Sequence, residues 1–432
     1  MSVNAVSDND KNAIRELAKK YMDIAQMDIM AERKSLWRDL HDLKPKRPMI
    51  LFETISLANY LADYQPQCED EQLRNVEMKL ISSIRQFEQM GDDIVLEPYF
   101  RMAWHQPGLR STGMDFGDYK IEEHGATGTD SMAYLSNFPI KTPDDVKKLT
   151  PRQFSINREP SLKLKDKLQD VMGDILPVRL GNFDNFVFDI GNQPFTGNNF
   201  IGVTMDVFKL MGAEAMMLWP YDHPETLHEL CRFLVDDKKR FYQFLLKEKL
   251  LDFNTDNQFA GPSMYGYVSE LPDVDSDKPL VLKDLWAWAE SQETQSMSPQ
   301  MFDEFFLPYI AEIANMFGLS YYGCCEGISD RFEYIAKAIP NVRSVSVSGW
   351  ADLAKAGELL GNKYVYSRKP TPALISTPSA QWDLAKKDAV ETRNATKNGC
   401  VEIIIRDVYT KDVTPERAAK MVQLWKETFG FA

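Results

Sequence analysis

From Leu176 to its end the chain alternates short apolar runs with longer amphipathic ones, and this alternation restricts the fold more than any other feature. ILPVRLGN reads as a strand and EAMMLWP as a short apolar run, followed by a strongly periodic helix in HPETLHELCRFLVDDKKRFYQFLLKEK. PLVLKDLWAW then leads into SPQMFDEFFLPYIAEIANMFG, a helix with Ser298 as N-cap, Pro299 at its first position and Gly318 as its stop. The strands LSYYGC, RSVSVS, KYVYS and VEIII are separated by helices in DRFEYIAKAI, WADLAKAGELLG and SAQWDLAKKDAVETRNATKNG. TPERAAKMVQLWKETFG, capped by Thr414, closes the series. Strands spaced by helices build parallel sheets, because a parallel crossover needs room that a helix fills. Neither GxGxxG nor GxxxxGK[ST] occurs, so a doubly wound nucleotide-binding sheet lacks its usual support. The expected fold is α/β, a TIM-type (β/α)8 barrel.

Upstream, residues 9–44 and about 70–90 carry helix formers with apolar residues at helical spacing. They predict a helical N-terminal extension over 1–85, with 86–432 as the (β/α)8 barrel catalytic domain. IVLEPYF reads as a strand ending at Phe100, and Arg101–Pro160, rich in Gly, Asp, Pro and Thr, as long loops.

A chain of 432 residues buries an ample core without staples, and five cysteines in no framework spacing point to a reduced, cytoplasmic protein. MSVNAVSDNDKN has neither a basic nor an apolar leader segment, and no apolar stretch is long enough to span a bilayer. The formal charge of -14 argues against a nucleic-acid surface, which needs clustered Lys and Arg.

In a β/α barrel the active site lies where strands end and the following loops begin, so polar residues there are the candidates. LSYYGCCE places Cys324, Cys325 and Glu326 at such an end, and thiolate with carboxylate is a zinc donor set. VEIIIRD places Asp407 at the same end, whereas Cys400 precedes that strand and falls at the opposite one. Asp407 is therefore preferred to Cys400 as a further ligand, with Cys400 as the alternative. Packing of the cysteines, and pairing of Asp407 with Arg406 or Arg368, are the structural roles that compete with this. Further strand-end candidates are Glu97, Tyr99, Asn182, Asp184, Glu290, Gln292, Arg368 and Lys369. Aromatic residues such as Tyr99, Trp104, Phe183, Phe186 and Tyr265 crowd loop-like stretches, which suits a flat apolar substrate. The five histidines form no HExxH pair, and His105 is the one that follows a strand-like piece. No GxSxG is present, so a serine hydrolase is not expected.

SPQMFDEFFLPYIAEIANMFG, the cysteine-ended strand, VSVSGWADLAKAGELLG and KYVYSRKPTP together resemble the uroporphyrinogen decarboxylase superfamily. That superfamily includes decarboxylases and zinc-dependent methyltransferases that work with a corrinoid protein. The decarboxylases carry an Arg-rich N-terminal motif that RPMILFETISLANYL lacks. The methyltransferases use His-x-Cys after one strand and Cys after the last as zinc ligands. Here the first position falls on GCCE, with Cys325 the closest match, and the last falls on Asp407.

The chain looks closest to the methyltransferases of vanillate and veratrol O-demethylase systems. The resemblance implies bound Zn2+ and transfer of a methyl group from an aryl methyl ether to the Co(I) corrinoid of a partner protein. Glu97, Tyr99, Glu290 and Gln292 are the residues expected to orient the substrate. A decarboxylase, or a thiol/corrinoid methyltransferase, is the alternative, and a homodimer is allowed. Phenolate is a poor leaving group, so the ether oxygen needs a Lewis acid or a proton as the methyl departs.

Overall fold

The computed structural model describes residues 6–54, 57, 60–104, 115–125, 134–181, 199–273, 279–397, 399–410 and 412–431. Expectations placed on His105, Asn182, Phe183, Asp184 and Phe186 lie outside these residues.

Eight short strands carry the architecture: β1 (Met49–Phe52), β2 (Phe100–Ala103), β3 (Val178–Gly181), β4 (Trp286–Ala289), β5 (Leu319–Tyr322), β6 (Val342–Val347), β7 (Val365–Arg368) and β8 (Cys400–Ile405). Six form one parallel sheet in the order β1-β8-β7-β6-β5-β4. β2 and β3 form a separate parallel pair. Phe200 bridges in parallel to Trp288 on the outer side of β4, with Ile201 N donating to Trp288 O. The molecule is thus mixed α/β around a parallel sheet, the class that the alternating pattern predicts.

The expected division at residue 85 cuts through this sheet. Residues 1–85 do hold the helices α1 (Asp8–Ala25), α2 (Asp28–His41) and most of α3 (Glu71–Gln89). Between them, however, Met49–Phe52 pairs with Glu402–Ile405 of the last strand. Four apolar residues bounded by prolines and a polar loop give too short a period for sequence reading to separate strand from helix. EAMMLWP lies within the helix Val203–Asp222 rather than forming a run of its own. SPQMFDEFFLPYIAEIANMFG breaks into two helices at Phe306, because Pro308 lacks the N–H a continuous helix would use. Ser298 and Thr414 cap as expected, accepting from Met301 N and Arg417 N.

Strand alternation gives the sheet two unlike faces. Ile50, Phe52, Tyr366, Val401, Ile403 and Ile405 pack into the core beneath the C-terminal helices, with Trp425 buried among them. Met49, Leu51, Val365, Cys400 and Ile404 face the other way, against α1, α2 and Trp37. α2 is tied to the segment that follows α3 and borders β1: Trp37 Nε1 donates to Asp93 O at 3.0 Å, and Arg33 donates to Ile94 O at 2.6 Å. Among the described residues, no helix is long and apolar enough to cross a membrane.

Candidate functional site

All six strands of the main sheet run in one direction, so their C-terminal ends lie at a common edge. β5 leaves the sheet through Gly323, whose φ of +101° suits glycine. A Cβ there would lie 2.9 Å from Ser346 Cβ, so this tight exit admits no larger residue without a shift in β6. The turn presents Cys324 and Cys325 in succession, and Ser346 Oγ donates to Cys324 O at 2.6 Å to hold it.

The two thiols lie 3.7 Å apart, Cys324 half-buried and Cys325 exposed. The hydrogen bond with Cys325, and then burial, push the pKa of Cys324 well up. Cys325 is lowered, first by that hydrogen bond and further by the positive charge of Arg406. One thiol of the pair is therefore the thiolate-prone one, and it faces solvent.

Glu326 follows directly but turns inward. Its Oε1 accepts from Ser291 N at 2.9 Å and its Oε2 from Cys324 N at 2.8 Å, so its carboxylate clasps β4's exit to β5's. Burial raises its pKa, opposed by those backbone donors. Glu290, also buried, accepts from Gln292 N at 2.9 Å and is raised by burial and by the charges of Glu293 and Glu326. Gln292 Nε2 donates to Glu293. Thr204 Oγ1 donates to Glu293 Oε2 at 2.7 Å. These carboxylates form a nest beside the cysteines, built around Ser291.

Asp407 stands just beyond β8 with φ of +61°, a conformation a non-glycine side chain adopts at some cost. Its Oδ2 lies 3.0 Å from Arg406 Nε, which is also 3.5 Å from Glu53 beyond β1. The pairing with Arg406 that competes with ligation in the sequence is the one present. Glu53 in turn accepts a short hydrogen bond from Ser263 Oγ.

Lys369 completes the group. It is 6% exposed, donates to Ser367 Oγ, and lies with its ammonium 5.1 Å from the centre of the Tyr321 ring. Burial pushes its pKa down to about 7, partly offset by the charge of Glu402. Glu402 itself is fully buried, and among the described residues neither carboxylate oxygen has a hydrogen-bond partner. His41 Nε2 approaches it to 3.6 Å.

Two expected substrate-orienting residues belong to a different cluster. Glu97 pairs with Lys34 Nζ at 2.5 Å and accepts from Tyr267 OH. Tyr99 OH donates to Asp256, and Arg101 bridges Asp252 and Asp256. None of these partners belongs to the cysteine group. Arg368 is buried and paired with Asp388, on the helix side of the sheet. Sequence reading missed Arg406, Glu53 and Glu402 as members of the site. A charged residue embedded in or flanking an apolar strand, as in VEIIIRD and MILFE, is the signal that marks them.

The zinc expected at this edge can be tested against these donors. Two thiolates on one zinc, at bonds of about 2.3 Å, sit about 3.8 Å apart, which the cysteine pair matches. The remaining donors do not fit. Glu326 spends both oxygens on backbone N–H groups, and Asp407 is held by Arg406. Arg406 and Lys369 place two cationic side chains beside the thiols, where a further cation is disfavoured. Among the described residues, no three His, Cys, Asp or Glu side chains converge to hold a metal ion.

No family model matches the chain, and no curated protein matches it in sequence. In fold it is similar to a solved structure titled a methyltransferase from Methanosarcina mazei, with a TM-score of 0.52 and 13% sequence identity. The match covers 92% of this chain and 99% of that one, so the likeness is one of whole architecture.

Proposed function

We propose that the protein is a methyltransferase that removes the methyl group of an aryl methyl ether and passes it to a corrinoid carried by a partner protein. The observation that carries this reading is the convergence of Cys324, Cys325, Arg406 and Lys369 at the C-terminal ends of β5, β7 and β8, strands of one parallel sheet. The full-length likeness in fold to a protein titled a methyltransferase supports it. So does the resemblance of the C-terminal strand-helix segments to corrinoid-linked methyltransferases. The closed-barrel form of the fold belongs to the same proposal.

The corrinoid supplies the nucleophile when the partner docks. What this chain must do is hold the ether, orient its methyl outward and balance charge that develops on the aryl oxygen. The exposed flank of the site, at Cys325, is where a docked cofactor could approach. The buried flank, lined by Lys369, Tyr321 and Arg406, suits the oxygen that becomes negative. Zinc, if bound, would take Cys324 and Cys325 as its first two donors and act as a Lewis acid. The other donors do not complete that set, and no step is assigned to it.

The deciding experiment mixes the protein with chemically reduced cobalamin, or a reduced corrinoid protein, and a panel of methoxylated aromatics. Growth of the methyl–cobalt absorbance with release of the free phenol is the expected outcome. Failure with every ether, together with loss of carbon dioxide from a porphyrinogen acid, overturns the reading in favour of a decarboxylase.

A further inference from the structure

We infer that Lys369 is the acid that protonates the departing aryl oxygen, filling the role for which the resemblance implies zinc. This rests on the methyl-transfer reading above and gives that site its source of positive charge.

The first ground is placement. Lys369 follows β7 directly, at the edge that carries Cys324 after β5 and Arg406 after β8. Among the described residues its ammonium has one hydrogen bond, to Ser367 Oγ, and no carboxylate within ion-pair distance. An ammonium has three donors, so at least one remains for a ligand. The groups that bear on it are Glu53 beyond β1, Tyr321 and Cys324 of β5 and its exit, and Glu402 and Arg406 of β8 and its exit. The second ground is that the metal alternative lacks donors: Glu326 and Asp407 are committed elsewhere.

The third ground is chemical fit. The C–O bond breaks with its electron pair left on the aryl oxygen. The methyl carbon accepts the pair from cobalt(I), which is thereby oxidised to the cobalt(III) alkyl level. The proton on that oxygen comes from the Lys369 ammonium, which recovers one from solvent. A phenol has a pKa of about 10, as tyrosine does, and an ordinary lysine at about 10.4 would have no driving force to protonate its anion. Burial brings Lys369 to about 7, on the side that favours transfer.

The test uses the full chain, free cobalamin reduced to cobalt(I), and ring-substituted anisoles whose phenols span a wide range of acidity. Lys369→Met is expected to slow ethers of weakly acidic phenols by about 10²–10⁴-fold, and those of nitrophenols by no more than about threefold. In the wild type, the rate with weakly acidic phenols falls as pH rises through about 7, a readout that stands even if the variant fails to fold. Equal losses across the series, or no such pH dependence, overturn the inference. Chelator treatment followed by metal analysis gives the other arm. Full activity in metal-free protein supports Lys369, whereas loss that zinc restores overturns it and leaves methyl transfer intact. If no ether methylates cobalt in the wild type, both readings fall.

Discussion

Two buried charged clusters in this molecule differ in how completely their charges are matched. Around Tyr99, Arg101 meets Asp252 and Asp256, and Glu97 meets Lys34 and Tyr267. At the cysteine edge, Lys369 has a hydroxyl where a carboxylate would be expected, and among the described residues neither carboxylate oxygen of Glu402 has a hydrogen-bond partner. Matched charge under burial is a fastening, while unmatched charge is held ready for something that arrives. Glu97 and Tyr99, plausible as substrate residues in the sequence, stand within the matched cluster.

The contrast can be broken most sharply at Arg101. Replacing it with Met strands the buried Asp256 and the part-buried Asp252, and a loss of about 3 kcal/mol in unfolding free energy is expected from urea denaturation. A change under about 1 kcal/mol would mean that this cluster is no fastening.

Lys369→Met should behave oppositely. Burial lowers the folded pKa of Lys369 to about 7, below its unfolded value of about 10.4. The unfolded chain therefore binds the extra proton between those values, and wild-type stability rises as pH rises from about 7 toward 10. At pH 6 the Met variant should be the more stable by roughly 2–4 kcal/mol, with the gap closing by about pH 10. Urea midpoints at both pH values check it, and a gap that does not move with pH would show that the lysine is already matched.

A smaller effect sharpens the reading of the thiols. Cys325 should alkylate first, well before the buried Cys68, Cys231 and Cys400, whose thiols burial pushes up. Arg406→Gln should slow that labelling, since the guanidinium helps to lower the Cys325 pKa. Peptide mass spectrometry after brief iodoacetamide exposure gives the order. The smallest effect lies at Asp407, whose φ is positive. Asn tolerates that backbone and Ala does not, so Asp407→Ala should unfold about 1 kcal/mol more easily than Asp407→Asn in thermal melts.

The sequence made the parallel α/β character legible because each C-terminal strand is a short run followed by a helix, those after β4, β6 and β8 capped by Ser298, Asp352 and Thr414. Ser298 and Thr414 mark helix starts where expected, whereas the helix assigned Gly318 as its stop ends earlier, at Ala314. β1 was not legible, since its four residues carry no period and its partner lies some 350 residues on. The cysteine edge was partly legible. Adjacency of Cys324, Cys325 and Glu326 in the chain says nothing of side-chain direction, and Glu326 turns inward while Cys325 faces out. The Arg406–Asp407 pairing was foreseeable as a neighbour effect. The Glu53, Glu402 and Lys369 grouping needs the strand order β1-β8-β7, which no local pattern encodes.

That order has a consequence for biogenesis. β1 lies between residues 49 and 52, and its neighbour is β8, residues 400–405. A ribosome must therefore emit some 350 further residues before β1 finds its mate. Until then Ile50 and Phe52 have a bare edge beside them, and such a nascent chain should lean on holding chaperones and close this sheet late.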